Sequence, residues 1–110
     1  GCPVTATDRH EAAMTLADRA DAANRRVRAL FLAASVEEEE AAKLADASEP
    51  SRSILYRSAA WLALNAGDPA RALELARQGL KRSVLPVPPE IAVELRAVRS
   101  IARATMRATR

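Results

Sequence analysis

The residues able to support catalysis are few. One histidine, His10, and one cysteine, Cys2, are present. His10 falls in the first turn of a predicted helix, with no nucleophile at a recognisable spacing, so solvation rather than proton transfer is expected of it. Cys2 stands alone near the terminus; it forms no internal disulfide and has the reactivity of any exposed thiol. One cysteine and one histidine do not make a zinc site. The run Glu37 to Glu40 invites thoughts of a carboxylate metal centre. Consecutive residues fan out around a helix, however, and cannot converge on one ion, and the Glu-x-x-His pair of metal-binding bundles does not occur. A solvated face is expected there, with Glu39 and Lys43 spaced for a supporting ion pair. The glycines, Gly1, Gly67 and Gly79, form no phosphate-cradling loop. These residues predict a chain that is not an enzyme and that holds neither metal nor cofactor.

Charge is more informative. Residues 1–80 carry a net −2 and residues 81–110 a net +5, which together make the +3 of the whole chain. Arg96, Arg99, Arg103, Arg107 and Arg110 recur at helical spacing and form one basic stripe. A nucleic-acid backbone or an acidic protein could bind it. The alternative is that these arginines flank a packed seam, or pair with Glu37–Glu40 of a neighbouring helix or chain. The stripe lacks the stacking and base-reading side chains usual in nucleic-acid readers, which favours the alternative. A second cluster is Arg57, Trp61 and Asn65, spaced by four on one helical line. Arginine and tryptophan dominate interface energetics; equally, the only tryptophan of a core short of bulk could be covered by the last helix.

The elements that must position these residues are helical. Alanine, leucine, arginine and glutamate prevail, all good helix formers, and the β-branched and aromatic residues of sheets are sparse. With 110 residues the chain is one domain, predicted as a flexible segment 1–7 followed by a single helical domain 8–110. Five helices are expected, over about 8–23, 26–47, 50–66, 68–82 and 88–108. Asn24 marks the first turn, Pro50 opens the third helix, Gly67 ends it in the left-handed region, and Asp68-Pro69 caps and opens the fourth. The proline-rich stretch at 86–89 precedes a fifth, with Ile91, Leu95, Val98 and Ala102 in line. No apolar run is long enough to span a bilayer. Gly1-Cys2 has the form of a lipoprotein cleavage remnant, but the apolar segment such processing requires is missing, and a cytoplasmic location is expected. A first residue other than methionine suits a processed chain or a piece of a longer one.

The chain repeats itself. "RALFLA" at 28–33 and "RALELA" at 71–76 agree at five of six positions, 43 residues apart. The same offset places Ala17 on Ala60 and Asn24 on Gly67, so the expected turn repeats with the helices. The second copy resembles a tetratricopeptide repeat over residues 53–82. Tyr56 stands at its first aromatic, Ala60 at its small position, Gly67-Asp68 at its turn, Ala72 at its alanine and Gly79-Leu80 at its small–large pair. Residues 10–37 resemble the motif weakly, with Ala13, Asn24 and Glu37 departing from it. The stretch "PSRSILYRSAAWLAL" is also similar to small bacterial proteins of this kind, a likeness that implies no activity.

The resemblance implies an all-α fold of two antiparallel helical hairpins plus a C-terminal capping helix. It implies a non-catalytic protein-interaction module whose groove is lined by Ile54, Arg57, Trp61, Leu64 and Asn65. The lysine–asparagine clamp of peptide-binding members has no counterpart, since Met14 and Asp18 occupy those places. Two repeats make a short solenoid with open ends, so a homo-oligomer is expected alongside a protein or peptide partner.

Overall fold

The computed structural model describes residues 3–82 and 84–109. Gly1, Cys2, Ser83 and Arg110, the last residue of the basic stripe, lie outside the described residues. Four helices follow one another: α1 (Ala6–Ala45), α2 (Ser51–Asn65), α3 (Pro69–Leu80) and α4 (Pro89–Ala108). No strand occurs among the described residues, as the composition predicted.

The principal departure from the sequence reading is α1. Where two helices and a turn at Asn24 are expected, one helix of 40 residues runs straight through. The reason is local. Asparagine in a helix interior costs only a few tenths of a kcal/mol relative to neighbours of similar propensity. The flanking alanines and arginines favour continuing, and no glycine or proline stands between Pro3 and Pro50 to stop the chain. A hairpin would also have to offset the turn by burying the line Ala13, Leu16, Ala17 and Ala20, which is too thin to reward it. The two-hairpin expectation therefore fails in its first half. The start also moves. Thr5 caps α1 with a reciprocal pair, Asp8 N–H donating to Thr5 Oγ1 and Thr5 N–H to Asp8 Oδ2, both at 3.1 Å. Order therefore begins inside the segment predicted as flexible. Asp46, at φ +48°, ends the helix.

The remaining boundaries follow the punctuation of the sequence. Gly67 adopts φ +76° between α2 and α3, and the Asp68 carboxylate accepts from Arg71 N–H at 3.0 Å as the cap of α3. Pro89 occupies the first turn of α4. Each helix runs antiparallel to the one before it, so the C-terminal half of α1, α2, α3 and α4 form an up-and-down array. Helix α4 also reaches back to touch α2.

Small residues set the spacing of this array. Ala59, Ala60, Ala63, Ala72 and Ala76 are fully buried, with Leu75, Leu95 and Val98 supplying the bulk between them. At Gly79 the approach is closest. A Cβ there would sit 2.9 Å from Tyr56 Cβ and 3.0 Å from both Leu95 methyls. The helix tolerates this glycine because nothing larger lets α2 and α4 close upon α3.

Two buried polar groups tie the helices together. Arg52, only 8% exposed, donates to the carbonyls of Gln78 and Gly79 at the end of α3. It pairs with Glu49 at 3.3 Å and lies over the Tyr56 ring at 5.0 Å. A cation on the last carbonyls of a helix satisfies acceptors that have no intrahelical partner. On the other side, Ser35 of α1 donates to the Ala59 carbonyl of α2 at 2.7 Å and accepts from Arg71 Nε of α3 at 3.2 Å.

Candidate protein interface

Helix α1 outruns the body it belongs to. Arg28 lies against the α2–α3 turn, its Nε 3.7 Å from the place a Cβ on Gly67 would occupy. Val27 is the outermost residue of α1 that shares a groove with α2, and beyond it the helix leaves the body. Residues 6–30 are exposed throughout except Ala17, which is half-buried. They form an arm of about 33 Å from Ala6 to Val27 at 1.5 Å per residue. The molecule measures 75 × 27 × 20 Å as a result.

The arm is not polar all round. The helical face that carries Phe31, Ser35 and Ala42 toward α2 and α3 continues outward through Val27, Ala20, Ala17, Leu16 and Ala13. Leu16 is 63% and Leu30 66% exposed, and Met14 and Val27 are also open to solvent. At the root, Val27, Leu30, Phe31 and Ala34 of α1 and Leu62 of α2 line an open apolar groove of about 380 Å³. At the tip, Val4 is exposed just before the cap. A helix that keeps an apolar stripe in water has the form of a docking element.

Charge along the arm is polar from end to end. Residues 6–21 carry Asp8, Glu11, Asp18 and Asp21 against Arg9 and Arg19, whereas residues 22–30 carry Arg25, Arg26 and Arg28 and no carboxylate. The tip is acidic and the root basic.

The residues singled out from the sequence take the following places. Ile54 and Leu64 are half-buried against the core. Arg57 pairs with Glu94 of α4 at 2.5 Å, so α4 lies along the side of α2 that the resemblance assigned to a groove. Trp61, at 37% exposure, and Asn65 remain open to solvent. The structure thus keeps this line partly covered and partly free. On α4, Arg96, Arg103 and Arg107 are exposed and Arg99 half-buried. None of them has an acidic partner within ion-pair distance among the described residues. The acidic run at 37–40 does not reach them: Glu39 holds Arg71 at 2.7 Å and Lys43 at 3.6 Å, and Glu40 holds Lys43 at 3.4 Å. Glu39 and then Glu40 raise the Lys43 pKa above its ordinary 10.5. Glu39 is therefore more than a solvated face, because it joins α1 to α3. His10 is exposed as expected.

Among the described residues no three His, Cys, Asp or Glu side chains come together as a metal site, and no helix is long and apolar enough to cross a membrane. The chain matches no family model, none of the curated proteins compared and none of the solved structures compared.

The arm itself escaped the sequence reading. Its signals were present: the Thr5-x-x-Asp8 capping box, the missing helix breaker before Pro50, and an apolar line too thin for a core yet continuous with one. The root groove had no signal, since Leu62 meets Val27 and Phe31 only through tertiary placement. Arg52 was passed over because a buried arginine reads, in sequence, like any other.

Proposed function

We propose that this chain is a non-catalytic protein-interaction module, built on a tetratricopeptide-like α2–α3 pair, that engages its partner through the projecting arm of α1. The observation that carries the reading is the exposed stripe from Ala13 to Leu30 ending in an apolar groove. Leaving such a stripe in water forgoes the burial that stabilises most helices, so a partner that covers it gains from contacts the body cannot supply. Trp61 and Asn65 form a second exposed position beside α4 available to the same or another protein. A cytoplasmic adaptor role is part of this proposal.

A photo-crosslinking residue at Leu16, on the stripe, tests this in intact cells, with Thr15 on the opposite face as control. Discrete protein adducts from position 16 and not from position 15 are expected. Equal labelling from both, or no protein adduct from either, overturns the reading.

A second reading keeps the α4 arginines as an anion-binding surface, because none of the four described ones has an acidic partner among the described residues. Binding to arbitrary duplex DNA would then weaken with salt, by about 0.9 in log–log slope per phosphate contacted. The absence of base-reading side chains on α4 places this reading second.

A further inference from the structure

We propose that the arginine stripe of α4 holds the acidic face of the arm of a second copy of this chain, a heterologous contact between two unlike charged surfaces. It uses neither the apolar stripe of α1 nor the root groove, so it stands apart from the reading above.

The two surfaces match in placement. Asp8, Glu11 and Asp18 are exposed and project within about 80° of one another, on the side of α1 turned away from its apolar stripe. Arg19 stands at the edge of this face, which keeps an excess of carboxylates. On α4, Arg96, Arg99, Arg103 and Arg107 occupy a strip of about the same width, beside the buried line Leu95, Val98 and Ala102. The acidic intervals are three and seven residues. Arg96, Arg99 and Arg107 are separated by three and eight, and Arg107, Arg103 and Arg96 by four and seven. Laid in either direction, each carboxylate comes within one residue of a guanidinium, over about 15 Å of helix. None of these side chains takes part in an ion pair among the described residues.

The same contact cannot form within one chain. Asp8 lies about 30 Å along the helix from Arg28, which rests at the α2–α3 turn, and the arm carries it away from the body. The other acidic cluster, Glu37–Glu40, covers one helical turn, and Glu39 and Glu40 are already engaged with Arg71 and Lys43. It cannot follow a stripe about 16 Å long. A nucleic-acid backbone would meet the same arginines, but α4 offers it no stacking or base-reading side chain. A second copy brings carboxylates at the arginines' own helical repeat. Exposed ion pairs are individually weak and screened by salt, so the association is salt-sensitive.

Two full-length variants test the contact. One carries Glu11→Gln and Asp18→Asn, leaving Asp8 to cap α1; the other carries Arg103→Gln and Arg107→Gln. Sedimentation at about 20 mM salt, where charges act over roughly 20 Å, should show the parent associating and returning to monomer at about 0.5 M. Each variant alone should lose the larger species, and an equimolar mixture should form a mixed complex, because one variant keeps the stripe and the other the acidic face. Both variants stay net positive, so overall attraction does not account for a mixed complex. Leu16→Gln, on the apolar stripe, should associate as the parent does. A parent monomeric at low salt, a mixture that stays monomeric, or association lost in Leu16→Gln but kept in the charge variants overturns the proposal. Duplex DNA retarded by a monomeric parent would instead uphold the second reading of α4, and protein adducts from position 16 would uphold the reading of the apolar stripe in every case.

Discussion

Gly79 decides how closely the helices approach. In an exposed helix interior, alanine is favoured over glycine by about 1 kcal/mol. Here the added methyl meets Tyr56 Cβ, the root of a side chain with no freedom to withdraw, and Leu95 on the opposite side. Overpacking outweighs propensity, and Gly79→Ala should destabilise by roughly 1–3 kcal/mol in denaturant melts. At Gly67 an added Cβ would meet Arg28 only at ordinary contact distance, 3.7–3.8 Å, but the backbone is left-handed, so Gly67→Ala should cost about 1 kcal/mol from conformation. A Gly79→Ala variant as stable as the parent would mean that α2 and α4 close on α3 less tightly than described. Arg71 offers a second check. Its guanidinium bridges Glu39 and Ser35 at partial exposure, and Arg71→Ala should cost on the order of 1 kcal/mol, discounted for the solvent that reaches the pair.

At the scale of the element, α1 is two helices in energetic terms though one in geometry. Residues 35–45 are held by Ser35, Glu39 and Ala42 against α2 and α3, while residues 6–26 are exposed apart from half-buried Ala17 and rest mainly on their own propensity. Isolated helices of that length are marginal in water. Amide exchange should therefore be slow between 35 and 45 and accelerate steadily toward Ala6 in dilute solution. Uniform protection along α1 at nanomolar concentration would show that the arm is held by something within its own chain. Helix α3 gives the complementary test of packing. Ala72 is fully buried and Ala70 exposed, so Ala72→Leu should cost roughly 1–3 kcal/mol and Ala70→Leu little, as measured by the shift in urea midpoint at constant m-value.

The whole molecule is defined by its asymmetry. A compact chain of this length has a radius of gyration of about 13 Å; this one has 19.8 Å, with a longest dimension of 75 Å. The excess comes from the arm. Small-angle scattering of a dilute monomer should return a radius near 20 Å, and a value near 13 Å would mean that the arm folds back on the body. On the body, the exposed arginines of α4 form a second charged surface. Changing Arg103 and Arg107 together to glutamine should leave the melting temperature unaltered, because both are exposed and neither is paired among the described residues. It should lower any salt-dependent slope for duplex binding by about two units.

Much of the body could be read from the residues alone. Gly67, Asp68-Pro69 and Pro89 punctuate the chain through backbone restrictions that act within a few residues, so α2, α3 and the start of α4 fall where they were expected. The small positions 60, 72 and 79 likewise lie where helices touch, because only small side chains allow helices to approach so closely. The fate of Asn24 was not legible. Turn or helix at that position differs by a few tenths of a kcal/mol locally, and the choice belongs to whatever the flanking faces can bury. Ala13, Leu16, Ala17 and Ala20 find no face within the chain, so the helix continues and its stripe stays in water. The candidate interface is thus a consequence of tertiary structure: its stripe is written in the sequence, but its exposure and its root groove arise only from where α2 stops beside α1.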